Sequence, residues 1–308
     1  MRIYERMTEL VGETPLIRLG NIEKRLGLLA KVVIKLEGKN PAGSAKDRVA
    51  LGIIEALRKS GELTDDTVII EPTSGNTGIG IAAVAAAYGI SAIIVMPENM
   101  SEERKALIRA YGARLVLTEA ALGMSGAIAE AERLAGEIPG AVIAGQFVNP
   151  ENPAAHERMT GPEIYRDTDG EVDILVAGVG TGGTLTGAGR YLKSVKPECQ
   201  IVAVEPSESA VLSGGAAGAH GIQGIGAGFI PDVVDLSIFD RIMTVKTERA
   251  REVARLAASA EGILVGISGG AALSAAIELA VREENRGKLI VAIMPDSGER
   301  YLSTGLYD

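Results

Sequence analysis

Residues 172–184 of this 308-residue chain read VDILVAGVGTGGT, an apolar run that leads into four glycines with threonines among them. The run predicts a strand over Ile174–Ala177, and the residues beyond the glycines predict a helix over Thr184–Lys193. Consecutive glycines let backbone N–H groups converge on an anion at a helix N-terminus, and threonine hydroxyls add further donors. The stretch therefore predicts a βα unit with a phosphate site. The alternative is that the glycines only make a tight turn.

The same alternation of apolar runs and helical patterns continues along nearly the whole chain, which favours parallel sheets covered by helices on both faces. Further strands are predicted at Thr67–Glu71, Ala92–Met96, Leu115–Leu117, Ile201–Val204 and Leu289–Ile293. Further helices are predicted at Val49–Lys59, Gly78–Tyr88, Ser101–Tyr111, Ser125–Gly136, Glu248–Ala260 and Ala271–Arg282. Asn149-Pro150 separates two such series. We therefore expect an α/β fold of two three-layer domains with open, mostly parallel sheets and a cleft between them.

The composition argues against several classes of function. Lys and Arg number 31 against 40 Asp and Glu, a net charge of −9, and aromatic residues make up 3% of the chain. We therefore expect no nucleic-acid partner, because neither a basic surface nor a base-stacking platform has the residues it needs. One cysteine, Cys199, and two histidines leave no disulfide framework and no metal cluster built on Cys or His.

No membrane segment or secretory signal is expected. The uncharged stretch Pro72–Pro97 is long enough to span a bilayer, but glycines and polar residues interrupt it. A loop, a short buried helix and a strand explain it better. The first ten residues, MRIYERMTEL, lack the apolar core of a signal peptide, so a cytoplasmic location is the simplest expectation.

A second donor-rich loop, PTSGNTG at residues 72–78, lies between a predicted strand and a predicted helix. Its side chains and backbone N–H groups are suited to a carboxylate, and Asn76 is also able to bond a ring substituent. The alternative is a polar N-cap turn, which accounts for Ser74 or Thr77 but not for so many donors.

Lys46 occupies an unusual position for a lysine, because it lies at the start of a predicted helix. The positive end of the helix dipole disfavours an ammonium there and is expected to lower the pKa of Lys46. Such a lysine suits a Schiff base with an aldehyde or the transfer of a proton. The alternative is a surface lysine paired with Asp47.

A fourth glycine loop, Gly266–Gly270, fits the hydrolase motif G-x-S-x-G at Ser268. A serine hydrolase of that type also needs a histidine after its acid, and His156 and His220 both precede the motif. Ser268 is therefore interpreted as a helix cap or as a ligand contact.

The first glycine loop also matches the dinucleotide fingerprint G-x-G-x-x-G at Gly178, Gly180 and Gly183. Glu205 lies 22 residues beyond Gly183, at the position of a ribose-binding acid. An NAD-dependent oxidoreductase is therefore a distant alternative. Gly182-Gly183-Thr184 tells against it, because this small, donor-rich pocket suits one terminal phosphate.

Taken together, these segments resemble the cysteine synthase (O-acetylserine sulfhydrylase) family of fold-type II, tryptophan synthase β-like, pyridoxal-phosphate enzymes. The resemblance runs nearly end to end, and the order of its motifs is specific. The motifs are ETPL at 13–16, the Lys46 segment, EPTSGNTG at 71–78, MPENMS at 96–101, QF at 146–147, TGPEI at 160–164, GVGTGGTLTG at 178–187, IQGIGAGFIP at 222–231 and SGERYLST at 297–304.

The resemblance implies a pyridoxal 5′-phosphate cofactor in the cleft between the domains, with Lys46 as the catalytic lysine that forms the internal aldimine. It assigns the ring hydroxyl to Asn76 and the pyridine nitrogen to Ser268. The residues that it assigns to the cofactor phosphate are Gly180, Thr181, Gly182, Gly183 and Thr184. Those that it assigns to the substrate α-carboxylate are Thr73, Ser74, Gly75, Thr77 and Gln146.

The resemblance also implies the reaction and the domains. O-acetyl-L-serine and sulfide would give L-cysteine and acetate through an aminoacrylate, in a homodimer. Residues 40–148 would form the N-terminal domain, with a mobile subdomain at about 92–137. Residues 1–39 and 149–308 would form the C-terminal domain with the phosphate loop. Family members can bind the C-terminal tail of serine acetyltransferase at the substrate-carboxylate site, and the same is expected here.

Four residues depart from the family pattern: Gly145, Gly221, Gly269 and Asp296. None of them removes an implied cofactor contact. Gly145 and Gly221 bear on substrate preference, so O-phosphoserine sulfhydrylase activity and a cystathionine β-synthase-like reaction of serine with homocysteine stay open as alternatives.

Overall fold

The computed structural model of this protein describes residues 3–64 and 66–308, so the first two residues of the predicted segment 1–39 lie outside it. Strands and helices alternate along the described chain. The strands are β1 (Leu16–Arg18), β2 (Lys31–Leu36), β3 (Val68–Pro72), β4 (Ser91–Pro97), β5 (Arg114–Thr118), β6 (Ala141–Ile143), β7 (Val172–Gly178), β8 (Gln200–Pro206), β9 (Arg241–Val245) and β10 (Leu289–Met294). The helices are α1 (Gly20–Leu26), α2 (Lys46–Ser60), α3 (Asn76–Tyr88), α4 (Glu102–Ala110), α5 (Gly123–Glu137), α6 (Glu151–Arg158), α7 (Thr160–Asp167), α8 (Gly183–Val195), α9 (Thr247–Glu261) and α10 (Ile267–Ala280).

The larger sheet has six strands in the order β1-β2-β10-β7-β8-β9, and all neighbours are parallel except β1 and β2. Its central strands are apolar because helices cover both faces. On one face α1, α9 and α10 pack through residues such as Ile22, Val253 and Leu273. On the other face α7 and α8 pack through residues such as Ile164 and Leu192. The result is a three-layer unit.

The smaller sheet has four parallel strands in the order β5-β4-β3-β6. Helices α2, α3 and α4 cover one face, and α5 covers the other. α3 is almost free of charge because its residues from Thr77 to Ala85 are buried. This explains the uncharged stretch Pro72–Pro97, which the structure divides among the end of β3, α3 and β4. Within the described residues, no helix has the length and apolar character to cross a membrane.

The two three-layer units confirm the predicted α/β class with open, mostly parallel sheets. The larger sheet takes its strands from residues 16–36 and 172–294, and the smaller sheet takes its strands from residues 68–143. The domain boundaries at 40–148 and at 1–39 plus 149–308, like the mobile segment at about 92–137, stay predictions.

Several elements differ from the sequence prediction. The strands β1, β2, β6 and β9 and the helices α1, α6 and α7 were not predicted, because they are short or carry charged residues. Two predicted helix starts were late by about one turn, more than the others. α2 begins at Lys46 rather than Val49, and α10 begins at Ile267 rather than Ala271. Both corrections add a candidate functional residue to the first turn of a helix.

Candidate active site

A cavity of about 280 Å³ lies where loops that follow the strands of both sheets meet. In parallel sheets, ligands bind outside the carboxyl ends of the strands, and here such ends from two sheets contribute. Most of the residues singled out in the sequence line the cavity. They are Lys46, Thr73, Ser74, Asn76, Thr77, Gln146, Gly180, Thr181, Gly182, Thr184 and Ser268. Gly75 and Gly183 do not line it but lie directly beside lining residues in the same loops.

Lys46 is the first residue of α2, and its side chain reaches the cavity wall. Burial lowers the pKa of its ammonium to about 8, although Asp296 and Glu71 favour the charged form. The predicted direction of the shift is therefore present, and burial of the ammonium is its largest cause. Asp47 does not act as the partner of Lys46, because its carboxylate accepts hydrogen bonds from Ala42 N at 2.6 Å and Ser44 Oγ at 3.4 Å.

The loop between β3 and α3 presents hydroxyls and amides at a helix N-terminus. Thr73 and Thr77 are each 2% exposed. Thr77 Oγ1 donates to Gln146 Oε1 at 2.6 Å, and Gln146 Nε2 donates to the Pro72 carbonyl at 3.4 Å. This pairing holds two of the predicted carboxylate-binding side chains together. The first N–H groups of α3 have no intrahelical acceptor, so the loop is suited to a carboxylate.

Asn76 is held by two charged side chains that the sequence did not link to it. Its Nδ2 donates to Asp296 Oδ2 at 2.7 Å, and its Oδ1 accepts from an Arg300 guanidinium nitrogen at 2.5 Å. Tyr301 OH also donates to Asp296 Oδ2, at 2.7 Å. A carboxylate only accepts and a guanidinium only donates, so these two partners fix which way the Asn76 amide faces. The second hydrogen of Nδ2 stays available to a ligand.

The loop between β7 and α8 approaches neighbouring backbone and side-chain atoms so closely that only glycine fits at two of its positions. A Cβ at Gly180 would lie 2.3 Å from the carbonyl oxygen of Gly224, and one at Gly183 would lie 1.9 Å from Asn152 Oδ1. Asn152 Nδ2 donates to Thr181 Oγ1 at 2.9 Å. The N-terminal N–H groups of α8 and the neighbouring hydroxyls form the predicted kind of anion site.

His156 stabilises this loop by hydrogen bonding to Thr184 at the start of α8. Its Nε2 lies 3.2 Å from Thr184 Oγ1, and its Nδ1 lies 2.9 Å from Thr160 Oγ1. Burial lowers the pKa of His156 to about 3, so the imidazole is neutral and joins two hydroxyls. It is thereby engaged in holding the loop. His220, which lines the cavity, bonds the Gly226 carbonyl at 3.0 Å through Nε2.

Ser268 is the second residue of α10, is 3% exposed and faces the cavity. Neither histidine hydrogen-bonds to it among the described residues. The geometry thus offers Ser268 as a ligand contact and gives no support to the hydrolase interpretation of G-x-S-x-G.

Glu205 has a structural role that the dinucleotide alternative did not foresee. Its carboxylate accepts hydrogen bonds from Leu212 N at 2.8 Å, Ser213 N at 3.0 Å and Ser213 Oγ at 2.5 Å. These bonds anchor the loop after β8. The acid on which the NAD alternative depended is therefore already occupied.

Sequence reasoning missed part of the cavity wall. Arg104 was assigned only to a predicted helix, and Gln223 belonged only to a recognised motif. Other lining residues not singled out are Met100, Met124, Phe147, His220, Ile222 and Ile225. A helical pattern alone does not show which polar side chain faces a cavity. The sequence offered one other indication, which is that several of these residues lie within or beside the motifs MPENMS and IQGIGAGFIP.

The donor set fits pyridoxal phosphate. Lys46 offers an amine with a pKa of about 8, and the start of α8 offers backbone N–H groups and threonine hydroxyls to a phosphate. Asn76 and Ser268 offer hydrogen-bonding atoms to a polar ring. These residues are brought together in one cavity, as an aldehyde with a phosphate arm requires.

Comparisons with known proteins agree with this geometry. The family described as pyridoxal-phosphate dependent enzyme matches residues 7–296. A cysteine synthase of Staphylococcus aureus (strain Mu50 / ATCC 700699) is 49% identical over 304 residues, which cover 98% of this chain and 97% of that protein. The crystal structure of cysteine synthase (OASS) from Entamoeba histolytica has a TM-score of 0.96 at 48% identity, and the match covers 99% of this chain and 91% of that one. The O-acetylserine dependent cystathionine beta-synthase from Helicobacter pylori has a TM-score of 0.93 at 40% identity, with 100% of both chains covered.

Proposed function

Because this chain belongs to the pyridoxal-phosphate dependent enzymes, we propose that it makes L-cysteine by replacing the acetate of O-acetyl-L-serine with sulfide. The observation that carries the proposal is the position of Lys46, whose pKa is lowered to about 8. It shares one cavity with a loop suited to bind a carboxylate, residues 73–77, and a loop suited to bind a phosphate, residues 180–184. The similarity to cysteine synthases over 98% of the chain supports the choice of substrates.

The cofactor-binding residues follow from the cavity. Lys46 Nζ would hold the cofactor aldehyde, and residues 180–184 at the start of α8 would hold its phosphate. Asn76 Nδ2 would bind the ring hydroxyl, and Ser268 Oγ would bind the pyridine nitrogen. Pyridoxal phosphate, when bound, supplies an electron sink for negative charge at the substrate α-carbon.

The substrate-binding residues lie on the opposite loop. Thr73 and Ser74 offer hydroxyls, Gln146 offers its side-chain amide, and Gly75 and Thr77 offer backbone N–H groups, to the α-carboxylate at the N-terminus of α3. Lys46 Nζ, once free of the cofactor, takes the α-proton, because its lowered pKa leaves much of the amine unprotonated near pH 8. Acetate then leaves the β-carbon, sulfide adds there, and Lys46 returns the proton to the α-carbon.

Two of the departures from the family pattern border this region. Gly145 has a left-handed φ of 68°, and its N–H donates to Glu71 Oε2 at 2.8 Å. Gly221 N donates to Thr247 Oγ1 at 3.0 Å, and a Cβ at Gly221 would lie 2.6 Å from Thr247 Cγ2. The left-handed backbone at Gly145 favours glycine, and a side chain at Gly221 would require Thr247 to move, so neither glycine need signal a different substrate.

The test compares three substrate pairs in the purified, cofactor-loaded protein, following cysteine formation for the two pairs with sulfide and cystathionine formation for serine with homocysteine. We expect the highest kcat/KM with O-acetylserine and sulfide, ahead of O-phosphoserine with sulfide and of serine with homocysteine. Lys46→Ala is expected to lower kcat by at least about 10²–10⁴-fold, the usual contribution of a general acid–base group. Lys59→Ala, at an exposed lysine of the same helix, is the matched control and is expected to keep wild-type activity. Equal or better turnover of another pair would refute the choice of donor.

Three further properties belong to the same proposal and are supported by the family resemblance. The protein acts as a homodimer, and it works in the cytoplasm. The substrate-carboxylate site also accepts the C-terminal carboxylate of serine acetyltransferase, because the hydroxyls of Thr73 and Ser74 and the N-terminus of α3 suit a peptide carboxylate as well as an amino-acid one.

A further inference from the structure

Arg104 is a buried cation in the cavity wall with only neutral partners. It is 2% exposed and lies in the first turn of α4. One terminal nitrogen donates to Ser101 Oγ at 3.1 Å and to Gln223 Oε1, and the other donates to Tyr301 OH at 3.0 Å. Its Nε is buried and has no hydrogen-bond partner. Among residues 3–64 and 66–308, no acidic side chain forms an ion pair with it.

The contrast with Arg48 shows how unusual this is. Arg48 is also buried, but it pairs with Glu37 at 2.7 Å and with Glu163 at 2.6 Å. Glu103, which adjoins Arg104 in the sequence, accepts hydrogen bonds from Ser303 instead. Burying a charge without a counter-charge is costly, so an anion that enters the cavity beside Arg104 would gain the attraction that no protein carboxylate supplies.

The unpartnered nitrogen lies beside the loop between β3 and α3. A Cβ at Gly75 would lie 2.3 Å from Arg104 Nε, so the guanidinium is packed against that loop. Gly75 is the residue just before α3, whose 13 residues place the positive end of a helix dipole at the same wall. A cation and a helix N-terminus therefore act together on this part of the cavity.

We propose that Arg104 is the binding residue for the anionic sulfur nucleophile, hydrosulfide. This inference rests on the proposed function, which brings two anions into the cavity. The α-carboxylate already has the hydroxyls of Thr73 and Ser74 and the N–H groups of α3. Of the residues that the structure describes, two lysine or arginine side chains line the cavity, Lys46 and Arg104. Lys46 is engaged at the α-carbon, so Arg104 is the cation left for hydrosulfide. Met100 and Met124 line the same cavity and present polarisable side chains that suit a soft sulfur anion.

The test separates the two halves of the reaction in the cofactor-loaded protein. The amino-acid half is followed by the change in visible absorption on adding O-acetylserine without sulfide. The sulfur half is followed by kcat/KM for sulfide at saturating O-acetylserine. Arg104→Gln is expected to lower the second quantity by at least about tenfold, because a charged hydrogen-bond donor is lost. It is expected to leave the concentration of O-acetylserine needed for the absorption change unaltered.

Two comparisons distinguish anion binding from a structural role. Arg104→Lys keeps the positive charge but loses the forked hydrogen bonds to Gln223 and Tyr301. Anion binding predicts that Arg104→Lys restores most of kcat/KM for sulfide, whereas a purely structural role predicts that Arg104→Lys fails as Arg104→Gln does.

Nitrate, an inert anion, is expected to inhibit the wild type competitively with respect to sulfide. In Arg104→Gln this inhibition by nitrate is expected to disappear. Arg109→Gln removes an exposed arginine of the same helix and is expected to change neither half.

Three results would overturn the proposal. They are an unchanged sulfide dependence in Arg104→Gln, an effect confined to O-acetylserine that would make Arg104 a carboxylate ligand, and failure of Arg104→Lys to restore activity. Failure of the proposed function looks different, because the wild-type protein itself would then give no response to O-acetylserine.

Discussion

Lys46 and the side chains near it show how burial sets the chemistry of single residues. Burial lowers the pKa of Lys46 to about 8 and raises the pKa of Glu71 to about 8. Asp296 and Glu71 oppose the change at Lys46 by favouring its ammonium. Asp296 also accepts a hydrogen bond from Asn76 at 2.7 Å, so one carboxylate influences both the amine of Lys46 and the amide of Asn76 in the cavity wall.

The pKa of Lys46 predicts how the cofactor-free protein takes up pyridoxal phosphate. Only the unprotonated amine is nucleophilic, and a lowered pKa makes that form dominant above about pH 8. The rate of recombination is therefore expected to rise with pH through a midpoint near 8, measured by stopped-flow absorbance. Asp296→Asn removes a charge that favours the ammonium and is expected to move the midpoint to lower pH. A wild-type midpoint near 10.5, the ordinary lysine value, would contradict this account.

The loops identified in the sequence supply most of the candidate site, because glycines and small hydroxyl residues beside predicted strands have a local physical meaning. Asp296 and Arg300 could not be assigned as partners of Asn76, since they lie more than 200 positions away along the chain. Arg104 also escaped prediction. A charged residue in the first turn of a helix is normally solvated, and only the tertiary fold shows that it is buried.

At the scale of elements, a buried ion cluster joins β2, α2 and α7. Arg48 of α2 pairs with Glu37, which follows β2, and with Glu163 of α7. Lys35 of β2 pairs with Glu163 at 2.8 Å, and Thr14 Oγ1 donates to Glu37 at 2.6 Å. Burial by itself raises the pKa of Glu37, but the attraction and hydrogen bonds of Arg48 lower it to about 2. Both carboxylates are therefore ionised at neutral pH and depend on Arg48.

Replacing Arg48 by Leu is expected to destabilise the protein by about 3–5 kcal/mol, because it leaves buried carboxylates without their main counter-charge. The measurement is the free energy of unfolding in urea at pH 7. Arg133→Leu is the control, since Arg133 pairs with Glu130 and Glu137 on the exposed face of α5 and its loss is expected to matter little. Equal effects of the two substitutions would contradict this interpretation of the cluster.

The strands that could be predicted most closely are those with an apolar run at their centre. The cores of β3, β4, β7, β8 and β10 were predicted within about three residues of their ends, because parallel strands buried on both faces leave an unbroken run of apolar residues. β2 was missed because it contains two lysines, and one of them, Lys35, is buried in the ion cluster. The lysines interrupt the apolar pattern by which a strand is recognised. The acid that pairs with Lys35 lies more than 100 positions away along the chain, so the local sequence does not show that this lysine is buried.

At the scale of the whole molecule, two sheets contribute loops to one cavity. The smaller sheet supplies Thr73–Thr77, and the larger sheet supplies residues 178–184. Hydrogen bonds also cross between α4 and the C-terminal 3-10 helix Gly298–Thr304, where Glu103 accepts from Ser303 and Arg104 donates to Tyr301. α4 lies within the segment at about 92–137, which we propose to be mobile. These hydrogen bonds would therefore break or change length if that segment moves.

The most direct measurement of the central claim is the visible spectrum of the yellow, cofactor-loaded protein during one cycle of substrate addition. The account predicts that O-acetylserine alone changes the absorption of the bound cofactor, and that sulfide then restores the starting spectrum with release of one cysteine per site. A protein that binds no pyridoxal phosphate, or that binds it and gives no spectral change with O-acetylserine, would contradict the account.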